Sequence, residues 1–471
     1  MGTSGTAAQR VCHARWHVRA PLAGWLAMAG CAPPAEAPRA VGPMEEGAFV
    51  WQRVWTPAVT DAITTSGPNF DRISVLVAEI EADGRVVATD ALRPVGLSVL
   101  AAMEPVELVV RAAALPVEPE DEAVLVRTLT GALRHAEEHA VRVRAVHLDI
   151  DVPTAKLPDY AALVARLGAA VAPLPVEVLA LPSWVDAPGQ QALAEAADRL
   201  VLQVHGLEPQ ADGPPVLFDA DAAVRAVEAL GAQGRPFRVA LPTHGWPELG
   251  VRAEPAAIAP VVARWQHDRP AGLEGLRWFR LPVAGDSHTW TSSTLAAVRA
   301  GRVPAAMLQV DIDPGPSEGL FLLTLESTGE DAAKLPTLCL QPAPGGGLVR
   351  LVDLRAEMRP EADGDGLILR PAPGQWMQPG TALRWTLLAV PGAGQARADA
   401  PGVSMVPTPE GMAAPGAAED PLSRSAPQVE PGLSSPLDRP CGYPQKALNP
   451  YPSRLPPPAL PHSPGTPGAH R

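Results

Sequence analysis

Eight short apolar stretches recur at even intervals between residues 48 and 301, and each of them ends in polar residues. The segments between them carry apolar residues every three or four positions, which is the spacing of a helix with one buried face. Strands that alternate with such helices indicate βαβ units, and eight units in roughly 250 residues match a TIM-type (β/α)8 barrel of the α/β class. The predicted strands are 49–55, 73–79, 106–111, 146–151, 176–183, 200–205, 237–243 and 276–282.

Two further segments follow the predicted barrel, which spans residues 48–302. Over residues 305–393 the pattern contains only short apolar segments separated by Gly/Pro turns, which predicts a small all-β sandwich. Residues 394–471 are rich in proline and poor in large apolar side chains, so they cannot offset the entropy cost of ordering. We predict a disordered tail there.

The first 31 residues have the composition of a targeting segment. Three arginines precede a short apolar run that ends at Cys31, which is the order of charge and hydrophobicity in a signal peptide. The small residues Ala29 and Gly30 before this cysteine resemble the lipobox of bacterial lipoproteins, which implies that Cys31 is lipidated. The alternative is a disordered leader with a chance cysteine. Residues 32–47, rich in alanine and proline at their start, are predicted to be a linker.

Composition and motifs argue against several classes of binding partner. A net charge of −13 argues against binding to nucleic acid, which requires clustered lysine and arginine. No run of 18 apolar residues occurs, so membrane contact is expected through the lipid anchor alone, in the bacterial cell envelope on the periplasmic or outer-membrane face. Cys339 and Cys441 lack neighbours at metal-ligand spacing, and the four cysteines predict no disulfide framework. No phosphate loop, dinucleotide fingerprint or zinc motif follows a strand, so we expect neither cofactor nor metal.

The fourth predicted strand carries the strongest candidates for chemistry. Strand alternation places His147, Asp149 and Asp151 on the inward face of the barrel, with both aspartates near its carboxyl end. Carboxylates at i and i+2 lie about 6–7 Å apart, and close like charges separate their pKa values into an acid and a base. Asp151 could alternatively cap the next helix. Glu79, at the end of the second strand, is either the partner carboxylate or a solvated loop acid.

Other strand ends supply candidates for substrate binding. The arginines could pair with the carboxylates or hold an anionic sugar. The tryptophans could be sugar platforms or core residues, and the histidine could be an acid/base, a contact or a structural residue. These residues are Arg53, Trp55, Arg111, Ser183, Trp184, Gln203, His205, Thr243 and Arg280.

Several motifs together resemble a bacterial family, domain of unknown function 3142. They are residues 48–55, 147–157, 180–184, 202–208, 237–243 and 278–282, so the resemblance covers most of residues 49–300.

This family resembles distant glycoside-hydrolase barrels, and no established activity comes with it. The Asp149-x-Asp151 pair resembles the Asp-x-Asp-x-Glu strand of chitinase-like enzymes, in which the glutamate is the acid. Pro153 stands at the place of that glutamate. If the frame is shifted by two residues, Asp151 takes the acid's place and His147 that of the first aspartate.

Two functions follow from these residues, and a third, that of a structural assembly protein, would require a large apolar patch on the sandwich. In the first, the barrel acts on a polysaccharide, with Asp151 as general acid, Asp149 orienting it and Glu79 as base or nucleophile. In the second, a non-catalytic barrel binds a glycan or an envelope protein. Neutralisation of Asp149 by Arg53 or Arg111 would favour the second, because no free acid/base pair would then be present.

Overall fold

The computed structural model describes residues 38–116, 118–210, 213–246, 249, 251–353, 357–372, 375–392 and 400–407. The predicted signal segment and nearly all of the predicted tail lie outside these residues. Eight parallel strands form a barrel, which closes because the first strand pairs with both the second and the eighth. The TIM-type fold is therefore confirmed. The strands are β1 Glu45–Val50, β2 Arg72–Ile80, β3 Val106–Ala112, β4 Val143–Ile150, β5 Val176–Ala180, β6 Arg199–Gln203, β7 Phe237–Pro242 and β8 Leu273–Phe279.

A helix follows each barrel strand and packs an apolar face on the outside of the sheet. Leu125 and Leu129 of the third helix, for example, are fully buried at a spacing of one turn. The helices are α1 Pro57–Ser66, α2 Pro94–Ala101, α3 Pro119–Glu138, α4 Leu157–Val171, α5 Gln190–Ala196, α6 Ala220–Gly231, α7 Pro255–His267 and α8 Ser292–Arg299.

Short elements decorate the barrel. Four 3₁₀ helices, Gly67–Asn69, Asp90–Leu92, Thr154–Lys156 and Pro182–Trp184, lie in its connections. Val86–Ala88 extends the sheet beside β2. Three antiparallel pairs of short strands complete this half of the chain: Arg39–Ala40 with Arg269–Pro270, Glu208–Gln210 with Gly213–Val216, and Gly245–Trp246 with Val251–Arg252.

The first strand begins earlier than the sequence predicts, at Glu45 rather than at residue 49. Two consecutive glutamates suggest a loop, but Glu45 points into the barrel and contacts Arg277, whereas Glu46 points outward and contacts Arg299 of α8. Gly47 is required beside them, because a Cβ atom there would lie 2.8 Å from the side chain of Arg277. Ion pairs with arginines far away in the sequence thus stabilise this polar segment as a barrel strand.

An apolar layer fills the middle of the barrel. Its ring contacts include the edge-to-face packing of Phe49 on Trp51 and of Trp51 on Phe279. The layer separates the amino-terminal end of the barrel from the carboxyl-terminal mouth, where barrel enzymes place their chemistry. It consists of Phe49, Trp51, Leu76, Val109, Leu179, Val201, Ala240 and Phe279.

The second domain is a sandwich of two four-stranded antiparallel sheets. Alternate residues such as Leu323, Leu325 and Trp385 point into a shared apolar core. The strands are β9 Leu308–Pro314, β10 Leu320–Ser327, β11 Thr337–Gln341, β12 Val349–Leu351, β13 Met358–Asp363, β14 Gly366–Pro371, β15 Ala382–Ala389 and β16 Gly402–Val406. One sheet has the order β9-β10-β15-β12, and the other has the order β13-β14-β11-β16.

Two features of the sandwich differ from the sequence analysis. Strand β16 pairs with β11, so the sheet continues beyond residue 393 into the segment predicted as tail. Its pairing with β11 places it there, and Val403 packs against the sandwich core. Cys339 is 2% exposed and disulfide-bonded, whereas the sequence analysis predicted no disulfide framework.

The two domains contact each other through polar groups. The Arg252 guanidinium donates to Asp331 at 2.6 Å, and both side chains are largely buried. The Thr294 hydroxyl donates to the backbone carbonyl of Glu330 at 2.7 Å. Within the described residues, no helix is long and apolar enough to cross a membrane.

Candidate functional site

The two aspartates at the end of β4 share one arginine. The Arg111 Nη1 atom lies 3.1 Å from Asp149 Oδ2, and its Nη2 atom lies 3.8 Å from Asp151 Oδ2. Asp149 is 5% exposed, whereas the Asp151 side chain is 57% exposed. The inward carboxylate is therefore engaged by a guanidinium, and the outer one lies at the solvent edge of the mouth.

Glu79 reaches the same mouth because β2 is irregular. The pairing of β2 with β3 shifts by one residue between Leu76 and Ala78, and Glu79 is then in register with Arg111. Strict alternation from the inward Leu76 would have pointed Glu79 outward, so the bulge sets its direction. Its two oxygens accept a bidentate contact from Arg53, with Nη2 2.7 Å from Oε1.

Burial changes the acidity of Asp149. Removal from water raises its pKa to about 6, and the charges of Asp151 and Glu79 act in the same direction. The neighbouring Arg111 opposes this shift without cancelling it. Asp149 is thus a buried carboxyl group that gains a proton more readily than an ordinary aspartate.

The two tryptophans that were candidates for sugar platforms are both buried. Trp55 is 8% exposed, and its indole nitrogen donates to the backbone of Gln52. Trp184 is buried against Tyr160, and its indole nitrogen donates to the carbonyl of Val152 at 3.0 Å. Both rings pack in the protein interior, whereas Ser183 is exposed.

An aromatic group surrounds His205 at the end of β6. The His205 ring stacks on Phe279 with centroids 5.1 Å apart, and His244 packs edge-on against both rings. Burial lowers the pKa of His205 well below its usual range and lowers that of His244 to about 4. Both imidazoles are therefore neutral at physiological pH. Gln203 donates to the backbone carbonyl of His205 at 3.3 Å.

Thr243 and Arg280 have positioning contacts. Thr243 is fully buried, and its hydroxyl accepts from the Arg280 backbone nitrogen at 2.7 Å. The Arg280 side chain binds Asp286 at 2.9 Å. This contact holds the loop between β8 and α8.

Beside these strand ends, a cavity of about 250 Å³ opens between the barrel and the sandwich. Its described lining combines hydroxyl, amide, imidazole and indole groups. On its sandwich side, Arg252 lies over the ring of Trp376 at 4.8 Å from the centroid. The lining residues include Thr243, His244, Arg252, Ser287, His288, Thr289, Trp290, Asp331, Gln375, Trp376 and Gln378.

His147 faces inward but lies below the apolar layer, away from the mouth. Its Nε2 atom lies 2.9 Å from Glu107 and 3.6 Å from Glu177, and all three side chains are buried. Burial alone would raise the pKa of Glu107, yet His147 and Arg277 hold it well below its usual range. We call the amino-terminal end of the barrel, below the apolar layer, its closed end. The closed-end network comprises Glu45, Arg72, Ser74, Glu107, His147, Glu177, Arg199, Arg238 and Arg277.

The Glu107, His147 and Glu177 side chains also have the mutual distances of a metal site. Arg238 and Arg277 already neutralise these carboxylates, so a divalent cation there would face two buried positive charges. The group is better explained as an internal ion network.

Sequence reasoning did not identify several of these residues. Glu107, Glu177, Arg238 and Arg277 interrupt apolar strands at alternate positions, which was the available signal for inward charges. The cavity residues on the sandwich carried no such signal.

Several proteins of known structure are similar to this chain at low sequence identity. A chitinase from Chromobacterium violaceum is 15% identical over 55% of this chain and 99% of its own, with a TM-score of 0.39. The spore cortex-lytic enzyme SleL of Bacillus cereus is 10% identical over 52% of this chain and 72% of its own, with a TM-score of 0.39.

The xylanase and alpha-amylase inhibitor protein of Scadoxus multiflorus is 11% identical over 51% of this chain and 93% of its own, with a TM-score of 0.35. No curated protein sequence matches the chain. Residues 103–250 match the family described as Domain of unknown function (DUF3142), which confirms the resemblance found in the sequence motifs over that part of the chain.

Proposed function

We propose that this protein is a non-catalytic barrel that binds a glycan at its carboxyl end, in the cavity beside the mouth. The observation that carries this proposal is the arginine pairing of both inward carboxylates, Asp149 with Arg111 and Glu79 with Arg53. Acid/base hydrolysis needs a free proton donor and a free base or nucleophile on the two faces of the sugar. With Pro153 in the place of a third acid, the mouth has the groups of a binding surface.

The glycan part of the proposal rests on the cavity between the domains. Sugar rings present hydroxyl groups at their edges and apolar C–H groups on their faces. A lining of amides and hydroxyls suits the former, and an indole such as Trp376 suits the latter. Asp331 lies in this lining but is paired with Arg252, so the cavity favours a ligand of low net charge.

Substitutions in the cavity test where the glycan binds. Gln375→Ala and His288→Ala remove exposed polar groups from its lining and should weaken binding of a polysaccharide about tenfold, which corresponds to roughly 1.4 kcal/mol. Binding would be measured by affinity electrophoresis across a panel of bacterial envelope and plant polysaccharides. Gln191→Ala, on the outer helix α5, is the matched control and should change nothing. Unaltered affinity in both cavity variants would refute the cavity as the site.

A second candidate function has one specific observation in its favour. The pKa of Asp149 is raised to about 6, which is a suitable value for a general acid near neutral pH. In that case Asp149, or Asp151 beside it, would donate a proton to the leaving group, with Glu79 as base or nucleophile. Asp149→Asn and Asp151→Asn would then reduce glycan turnover by about 10²–10⁴-fold.

We also propose that Cys31 is lipidated and anchors the protein to the bacterial cell envelope. The charged, apolar and small-residue order before Cys31 supports this proposal. Cys31→Ser should abolish labelling by a fatty-acid probe and release the protein from the membrane fraction. Labelling that survives this substitution would refute the anchor.

A further inference from the structure

The carboxyl end of helix α3 carries two histidines and a glutamate on one face. His135 and His139 are four residues apart, so their rings lie on adjacent turns, and their centroids are 4.5 Å apart. One ligand atom from each of His135, Glu138 and His139 lies within 4.8 Å of the others. The set takes no part in the barrel mouth or in the cavity between the domains.

Contacts with backbone carbonyl oxygens determine which nitrogen of each ring carries the proton. The His135 Nε2 atom lies 3.1 Å from the carbonyl oxygen of Leu92, and the His139 Nδ1 atom lies 2.9 Å from the carbonyl oxygen of His135. A carbonyl oxygen can only accept, so each of these nitrogens carries the proton. In the neutral ring the other nitrogen then bears a lone pair.

This arrangement is the one that orients histidines in metal sites. A ligating imidazole commonly donates its second nitrogen to a backbone carbonyl, which sets the tautomer and the direction of the ring. The free nitrogens here are His135 Nδ1 and His139 Nε2. The former already lies 3.8 Å from Glu138 Oε2.

Two further properties favour a cation at this position. The set lies at the end of α3, where the helix dipole places partial negative charge. The side chains of His135 and Glu138 are 41% and 59% exposed, and His139 is exposed, so they can move. A tetrahedral zinc site needs ligand atoms about 3.3 Å apart, so binding would draw these side chains together from their present separation of up to 4.8 Å.

We propose that His135, Glu138 and His139 form a surface site for a first-row divalent cation such as Zn²⁺. Two imidazole nitrogens and one carboxylate oxygen are borderline ligands that suit this ion, with water in the fourth position. Because the His135 ring is held by Leu92 in the connection after β2, a bound ion would also fasten the end of α3 to that connection.

Zinc titration of the untagged full chain tests the proposal. Isothermal titration calorimetry should find one Zn²⁺ per chain, and His139→Ala or His135→Ala should each weaken binding about tenfold or more. His267→Ala is the matched control. Its ring ends α7 and makes the same contact with the carbonyl four residues back, at 2.7 Å, without a second histidine one turn away. This variant should bind as the wild type does.

A second measurement separates loss of ligation from loss of folding. Zn²⁺ should raise the thermal midpoint of the wild type and of His267→Ala, because an ion that binds only the folded state stabilises it. It should leave the midpoint of the double variant His135→Ala/His139→Ala unchanged. Absence of zinc binding to the wild type, or equal binding to the double variant, would overturn the proposal.

Discussion

The two ends of the barrel use the same side chains for different purposes. At the closed end, arginines and glutamates such as Arg277 and Glu107 are fully buried. At the mouth, Arg53 and Arg111 are 57% and 40% exposed, although they hold carboxylates that are nearly buried. In a buried ion pair each charge needs its partner, because the loss of one leaves the other uncompensated away from water. In a half-exposed pair solvent screens both charges, so each can more easily change partner. The difference shows that burial, rather than residue type, separates structural charges from charges available to a ligand.

The closed-end network should be the more sensitive of the two. Glu177 contacts Arg238, Arg199 and His147, and replacing it with glutamine would leave buried positive charge without compensation. Removing one partner of a buried pair costs about 3–5 kcal/mol. Glu177→Gln should lower the free energy of unfolding by this amount in urea denaturation. A loss below about 1 kcal/mol would remove the distinction between the two ends.

The burial of Asp149 predicts a pH dependence at the mouth. Its pKa is 3.8 in an ordinary environment and about 6 here, so between these values the folded protein binds more protons than the unfolded chain. Its stabilising contribution is fully present below pH 3.8 and is lost as the pH rises through about 6. The loss amounts to about 3 kcal/mol.

Asp149→Asn isolates this contribution, because the amide does not titrate. The stability of the wild type relative to this variant should fall between pH 4 and pH 7 when unfolding is measured at each pH. Charges that do not interact with Asp149 act equally in both proteins and cancel in the difference. A difference that rises with pH would mean instead that Arg111 holds Asp149 ionised.

The Glu79–Arg53 pair should contribute least to stability. Arg53 is more than half exposed, so solvent screens the contact, and Glu79→Gln should cost about 0.5–1 kcal/mol. Glu81→Gln provides the control, since Glu81 lies two residues beyond Glu79 and pairs with Arg85, and both of these side chains are exposed. The control should change stability by less than about 0.5 kcal/mol. A cost for Glu79→Gln as large as that for Glu177→Gln would place the mouth pair among the structural charges.

The sequence predicts features that depend on neighbouring residues, but not those that depend on contacts between distant parts of the chain. Barrel strands and the inward direction of Asp149 follow from local periodicity, so both could be derived from neighbouring residues. The direction of Glu79 could not, because it depends on a bulge in the pairing of β2 with β3. Ion partners were equally inaccessible: Arg111 lies 38 residues from Asp149, and Arg238 lies 61 residues from Glu177. The sequence named Arg53 and Arg111 as possible partners without choosing between pairing and ligand binding.

The most direct test of a non-catalytic mouth is prolonged incubation with a polysaccharide that the protein binds. Products would be sought by mass spectrometry and by counting new reducing ends. The paired carboxylates predict retention of the glycan with no release of shorter sugars above a protein-free control, in the wild type and in Asp149→Asn alike. Release of shorter sugars by the wild type, abolished in Asp149→Asn, would contradict the account and assign Asp149 to catalysis.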